Sequence, residues 1–223
     1  MSLGREPRIC VVGAGTHFLS GISYYTMRLV NALAARHRVS AILMRQLLPT
    51  RFYPGRSRVG APLGLFEYGG DTASVDWFWF PSIVRAIALL IRERPNVVVF
   101  QWWSATVLHT YLALALVTRL LRGRVVIEFH EVLDAGEAGI PLVRGYVRLV
   151  APLLWRLASG FVVHSEFDRA RIRSEYRTDR RPVLLVPHGP YDQYRTVTRP
   201  KPAADEDSTF NFLFFGVIRP FKG

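Results

Sequence analysis

The sequence holds one cysteine, Cys10, so no disulfide can close within the chain. Cys10 lies inside the short apolar run Ile9 to Val12, and a reducing, cytoplasmic setting is the expectation it favours. Acidic residues are scarce, 17 against 29 basic ones, and the resulting net charge of +12 is almost entirely arginine. Long hydrophobic runs are missing too. The longest, Val107 to Leu121, is interrupted by His109, Thr110, Tyr111, Thr118 and Arg119, and falls short of the ~20 apolar residues that cross a bilayer. A buried helix is expected there. Behind the first basic residues only Ile9 to Val12 is apolar, which is strand-sized, so a signal peptide is not expected. No zinc-finger spacing, no aromatic RNP-like signature and no metal-ligand cluster can be read from the order of residues. The arginines are scattered rather than bunched, which argues against nucleic acid as the partner.

Half of the sequence is hydrophobic, and the mean hydropathy is +0.15, so a chain of 223 residues can bury a sizeable core. Strand-like and helix-like segments alternate. Arg8–Gly13, Arg38–Met44, Asn96–Gln101, Arg124–Phe129, Phe161–His164 and Val183–Val186 read as strands. Gly21–Arg36, Ile83–Arg94, Ala105–Arg122, Val143–Ala158 and Glu166–Tyr176 read as helices, with Pro152 expected to kink the fourth. From Arg45 to Ser74 prolines and glycines suggest an irregular excursion. Runs such as Val97-Val98-Val99-Phe100 are apolar without alternation, as strands buried on both faces are. The expected fold is therefore α/β, a doubly wound, mostly parallel Rossmann-like sheet. Hydrophobic residues thin out from Gly189 to Thr209, where Pro190, Pro200, Pro202 and Asp205-Glu206-Asp207 stand. The expected organisation is a domain at 1–189, a linker at 190–209, and at 210–223 the first strand and loop of a second domain.

Ligands of such sheets bind beyond the carboxyl ends of the strands. That rule points to Gly13–Gly21, Gln101–Ser104, His130–Leu133, His164–Glu166 and His188–Gly189. Gly13-Ala-Gly15 opens the first loop, but a dinucleotide fingerprint would need a third glycine where Phe18 stands. A turn that offers backbone N–H groups to an anion and a turn that is merely tight both remain open there. His130, at the end of a strand, can hydrogen-bond a ligand or carry a proton. His17 is a candidate for the acceptor side. Glu166 and Asp168 read as the first turn of a helix capped by Ser165 rather than as an acid–base pair. Pro141–Gly160 carries Arg144, Arg148 and Arg156 within one helical arc. It fits either a solvated arginine stripe or a helix lying on an anionic membrane.

Ser20-Gly21-Ile-Ser-Tyr-Tyr-Thr, Gln101-Trp102-Trp103, Phe129-His130-Glu131, Val162-Val-His164-Ser165-Glu166 and Val186-Pro-His188-Gly189 follow one another in order, and Phe214-Phe215-Gly216-Val-Ile-Arg219-Pro-Phe-Lys222-Gly223 closes the series. This pattern resembles the retaining family-4 glycosyltransferases, whose GT-B fold pairs two Rossmann-like domains. The resemblance implies an N-terminal, acceptor-side half and a nucleotide diphosphate sugar as donor. The acceptor hydroxyl would belong to a glycan or a lipid-linked molecule, and no cofactor or metal would be needed. It also implies roles: His130 for the donor sugar as the catalytic contact, Gly21 for the donor diphosphate from one side, Arg219 and Lys222 from the other. Two cations beside a departing diphosphate are a sound electrostatic device.

The sequence departs from the family pattern at Ser20, where the first of two adjacent glycines is usual. The acidic pair that holds the donor in the family has no counterpart within 1–223, so the chain is expected to be the front part of an enzyme, inactive by itself. Peripheral contact with the inner face of an anionic membrane is a further expectation. Two other classes stay open: a basic, non-catalytic membrane- or polyanion-binding module, and a nicotinamide-dependent oxidoreductase using Gly13–Gly21.

Overall fold

The computed structural model describes residues 6–17, 21–46, 68–131, 140–176, 178 and 181–189. The chain divides into two compact units, Met1–His188 and Gly189–Gly223. Gly189 is the only described residue of the second, so the expected linker at 190–209 and strand at 210–223 lie outside the described residues.

Seven strands form one sheet: β1 (Arg8–Ala14), β2 (Arg38–Met44), β3 (Asp71–Val75), β4 (Val97–Trp102), β5 (Arg124–Phe129), β6 (Gly160–Val163) and β7 (Val183–Leu185). Their order is β3-β2-β1-β4-β5-β6-β7 and every pairing is parallel. The helices are α1 (Gly21–Ala34), α2 (Phe80–Glu93), α3 (Leu108–Leu120), α4 (Pro141–Leu157) and α5 (Glu166–Glu175), with a short 3-10 turn at Ala105–Val107 leading into α3. This is the Rossmann-like α/β architecture expected of the alternating pattern.

Alternate side chains of a strand point to opposite faces. Cys10, Val12 and Ala14 of β1 therefore share the larger core with Ile42, Val98, Phe100, Ile127 and Phe129, beneath Leu89 and Leu90 of α2, Tyr111 and Leu114 of α3 and Leu154 and Trp155 of α4. Val11 points the other way and meets Val39 and Ala41 under Leu29, Val30 and Leu33 of α1. Both faces are covered over β1 and β2, which is why their sequences run apolar without alternation. Cys10 is wholly buried, and burial pushes its thiol up to about 12.

The irregular excursion expected from Arg45 to Ser74 needs correcting at its end. Asp71–Val75 is a strand, paired along its whole length with β2 from Ser40↔Asp71 to Met44↔Val75. Its sequence, Asp-Thr-Ala-Ser-Val, is polar because it lies at the sheet edge, where one side needs no partner strand, and such a strand carries little apolar signal. α2 also begins three residues earlier than expected. Pro81 stands in its first turn, where the missing N–H costs no helix bond. The helix α4 runs through Pro152 as one element.

One ion cluster ties the far end of α2 to the sheet. Glu93, 7% exposed, accepts hydrogen bonds from Arg92 at 2.9 Å and from Arg38 of β2 at 2.8 Å. The Arg92 hydrogen bond chiefly, and then Arg38, hold its carboxyl below the ordinary value of 4.5 against the opposing effect of burial. A carboxylate with a depressed folded pKa stabilises above its unfolded pKa and loses that contribution as pH falls. Glu93→Gln should thus cost about 1–2 kcal/mol in urea denaturation at pH 7. The difference from the parent should shrink as pH drops below 4.5; an equal gap at low pH would rule out the ionic contribution.

Candidate functional site

The sheet order reverses between β1 and β4, and the carboxyl ends of β4, β5, β6 and β7 follow in adjacent places. Crevices at such an edge are where open α/β sheets hold ligands. Register decides what stands there. Gln101↔Glu128 and Glu128↔Val162 are paired positions, so the next alternate step sets His130 level with His164. Paired residues of parallel strands share a face, as do residues two apart. Gln101, Glu128, His130 and His164 therefore project to one side of the sheet, opposite the side of Phe100, Ile127 and Phe129.

His188, three residues beyond β7, completes the group. Ring centroids lie 4.8 Å apart for His130 and His164, 5.3 Å for His130 and His188, and 3.8 Å for His164 and His188. Tyr25 of α1 stands edge-on to all three, at 4.6, 5.4 and 4.9 Å. The Nδ1 of His164 donates to the carbonyl of Val186 at 2.8 Å, which leaves Nε2 as the acceptor nitrogen. That Nε2 lies 3.7 Å from a carboxylate oxygen of Glu128.

A polar chain runs inward from this point. The Tyr25 hydroxyl donates to Glu128 at 2.5 Å, the Gln101 amide donates to the other carboxylate oxygen at 3.5 Å, and the Thr26 hydroxyl donates to the Gln101 side-chain oxygen. Tyr111 donates to the Gln101 carbonyl at 2.9 Å. Glu128 is 3% exposed, and burial pushes its pKa up, opposed by the Tyr25 hydrogen bond and the neighbouring His164. Burial, followed by repulsion from His164 and His188, pushes His130 down to about 2, and burial also lowers His188. His130 thus stands at this edge as a neutral imidazole, able to give or take a hydrogen bond.

Residues 20–189 match the profile of the glycosyl transferase 4-like domain. The chain belongs to this family. The matched span takes in Gly21, Tyr25, Glu128 and the three clustered histidines. Among solved structures the domain is similar to the UDP-GlcNAc 2-epimerase from Methanocaldococcus jannaschii, at 15% identity and a TM-score of 0.45, over 80% of this chain and 45% of that one. It is also similar to the UDP-N-acetylglucosamine 2-epimerase from Rickettsia bellii, at 11% identity and a TM-score of 0.46, over 80% and 44%. The chain spans less than half the length of these two proteins. No curated protein matches it.

Of the residues expected to act in the glycosyl transferase 4-like domain, His130 lies within the ring cluster and Gly21 is the exposed first residue of α1. His17 is half-buried in the turn after β1. Arg219 and Lys222 lie outside the described residues. Ser165 caps α5 by accepting the Asp168 N–H at 3.0 Å, so Asp168 serves the helix start as expected. Tyr25 and Glu128 carry no sequence signal of a site, and His164 and His188 are marked in the sequence only as strand ends. The available signal was three successive strands each running out into a histidine, at 130, 164 and 188. Their convergence depended on β5, β6 and β7 being neighbours, which no residue states.

Gly13, at the end of β1, is where this inner network is closest to the backbone. A Cβ there would strike the Gln101 side-chain oxygen and lie 2.9 Å from the Thr26 hydroxyl oxygen. Gly13→Ala is expected to cost about 1–3 kcal/mol by overpacking, read as a lowered denaturation midpoint with an unchanged slope. Wild-type stability in that variant would mean that Gln101 and Thr26 can yield.

Proposed function

We propose that this domain is the acceptor-side half of a retaining glycosyltransferase, passing a sugar from a nucleotide diphosphate donor to a hydroxyl of a glycan or lipid-linked acceptor. The observation that carries the reading is the family match over 20–189 together with His130 at the carboxyl edge of the sheet. In this proposal residues 1–189 form the domain, 190–209 a linker, and 210–223 open the donor-binding half.

The chemistry assigned to each residue follows from its surroundings. His130, neutral and held among rings, faces the donor sugar and hydrogen-bonds it without adding a full charge. The exposed amino end of α1 at Gly21 offers backbone N–H groups to the donor diphosphate, an arrangement favoured by the helix dipole. Arg219 and Lys222, outside the described residues, are assigned the diphosphate and the leaving nucleotide. His17, in the loop leading to α1, serves the acceptor side. In the complete enzyme His130→Ala should lower kcat by about 10²–10³-fold while donor binding, followed by calorimetry, changes far less. Unchanged turnover would remove His130 from the chemistry, and a failure of every nucleotide sugar to bind would sink the whole reading.

A specific surface favours a membrane-borne acceptor. On α4 Leu142, Leu149 and Leu153 are 84%, 78% and 46% exposed and fall in one stripe, with Arg156 beside it, Arg148 further round the helix and no acidic residue in the helix. Phe78, Trp79 and Phe80, at the start of α2, are exposed as well. His109 joins the two helices, with Nε2 donating to the Trp77 carbonyl at 2.9 Å and Nδ1 accepting from Tyr146 of α4 at 3.4 Å. Exposed aromatics and leucines flanked by arginine suit the interface of an anionic bilayer. No helix among the described residues is long and apolar enough to cross one.

The chain should therefore sediment with vesicles containing phosphatidylglycerol and only weakly with pure phosphatidylcholine, in a salt-sensitive manner. The pair Leu142→Glu and Leu149→Glu should weaken that binding about tenfold or more, whereas Ile91→Glu, on the C-terminal part of α2, should not. Equal binding by all variants would place the contact elsewhere.

A further inference from the structure

We propose that His130, His164 and His188 form a binding site for one divalent transition-metal ion of the zinc class, a site distinct in kind from the metal-free donor chemistry proposed above and not dependent on it. The order of residues gives no hint of it, because the three ligands come from three strand ends separated by dozens of residues. The fold gathers them. One ring nitrogen from each lies within 4.8 Å of those of the other two. Ligands of a tetrahedral zinc with Zn–N bonds of ~2.0–2.1 Å stand roughly 3.4 Å apart. Rotation of the imidazoles, the exposed His188 most freely, can close that difference.

Two further observations point to a cation rather than to a simple stack of rings. The Nε2 atoms of His130 and of His164 are buried without a hydrogen-bond partner, and the His164 side chain is only 6% exposed. Buried polar atoms are nearly always paired, so two unpaired ring nitrogens within one cluster need an explanation. The other ring nitrogen of His164 donates to the Val186 carbonyl, which is the arrangement that orients a metal-bound histidine and presents its second nitrogen as a lone pair.

The buried Glu128 side chain is bonded to Tyr25 and Gln101 and lies 3.7 Å from His164, so an acidic oxygen stands beside the rings. Three histidine ligands leave a fourth position for water or a ligand oxygen, as in sites where the metal takes part in binding or reaction. That position would lie at the sheet edge where the acceptor is proposed to sit. Its use there, unlike the metal site itself, rests on the glycosyltransferase reading.

The test is titration of the metal-stripped chain with Zn2+ against a chromophoric chelator at neutral pH, with Co2+ absorption as a report of tetrahedral nitrogen ligation. One equivalent of Zn2+ should bind, in the micromolar range or tighter. His164→Ala and His188→Ala should each weaken binding at least about 100-fold, whereas His109→Ala should leave it unchanged. Because His188 is exposed, its replacement should not disturb folding, and circular dichroism checks this for each variant. Zn2+ should also raise the melting temperature of the parent chain but not that of His188→Ala. Absence of stoichiometric binding, or binding that survives both His164→Ala and His188→Ala, overturns the proposal. Nucleotide sugar is not present in any arm, so the result stands apart from the donor-binding experiment.

Discussion

The parallel hydrogen-bond ladder joining β4, β5, β6 and β7 is the constraint on which the candidate site depends. A parallel pairing brings all carboxyl ends to one edge, and the side-chain period of two then fixes which residues share a face. With Gln101 beside Glu128 and Glu128 beside Val162, the placement of His130 against His164 follows without further choice. The Val186 carbonyl that receives the His164 N–H is in place because β7 continues the same register. A slip of one residue in β6 would turn His164 into the apolar face and bring Val163 to the site, so the larger core guards the geometry of the smaller polar group.

That division of labour runs through the molecule. On one side of the sheet Phe100, Ile127, Phe129 and Phe161 meet α2, α3 and α4 in a core with no polar gap of consequence for the site. On the other, α1 covers β1 and β2 with aliphatic residues but meets β4 to β6 with Tyr25 and Thr26. A single helix therefore changes character along its length: apolar where it packs, polar where it closes the network of Gln101 and Glu128. Burial does the electrostatic work there, keeping His130 neutral and pushing Glu128 up. A neutral His130 beside the buried Glu128 side chain would suit the proposed hydrogen bond to a sugar.

The outer surface has its own logic. On α4 Arg156 stands beside the exposed leucines, and the helix carries no acidic residue. The aromatic start of α2 lies at the same end, tied in by His109. The proposed membrane contact and a polar sheet edge in one domain would suit an enzyme that works on an acceptor it does not have to extract from the bilayer.

Much of the fold is legible in the order of residues. Apolar runs without alternation mark the central strands, helical spacing marks the layers, and strand-end positions mark His130 and Gly21 as candidates. The polar edge strand Asp71–Val75 is not legible, because an edge residue needs no apolar side chain to hold its place. Nor is the gathering of His164, His188, Tyr25 and Glu128 around His130. By itself the sequence determined the α/β class, a glycosyltransferase-like family and the approximate ends of six of the seven strands, since these follow from local periodicity and from motifs in order. Only the tertiary structure decided which strand ends are neighbours and which side chains share a face, because strand order and register are set by packing across the whole sheet rather than by any segment alone.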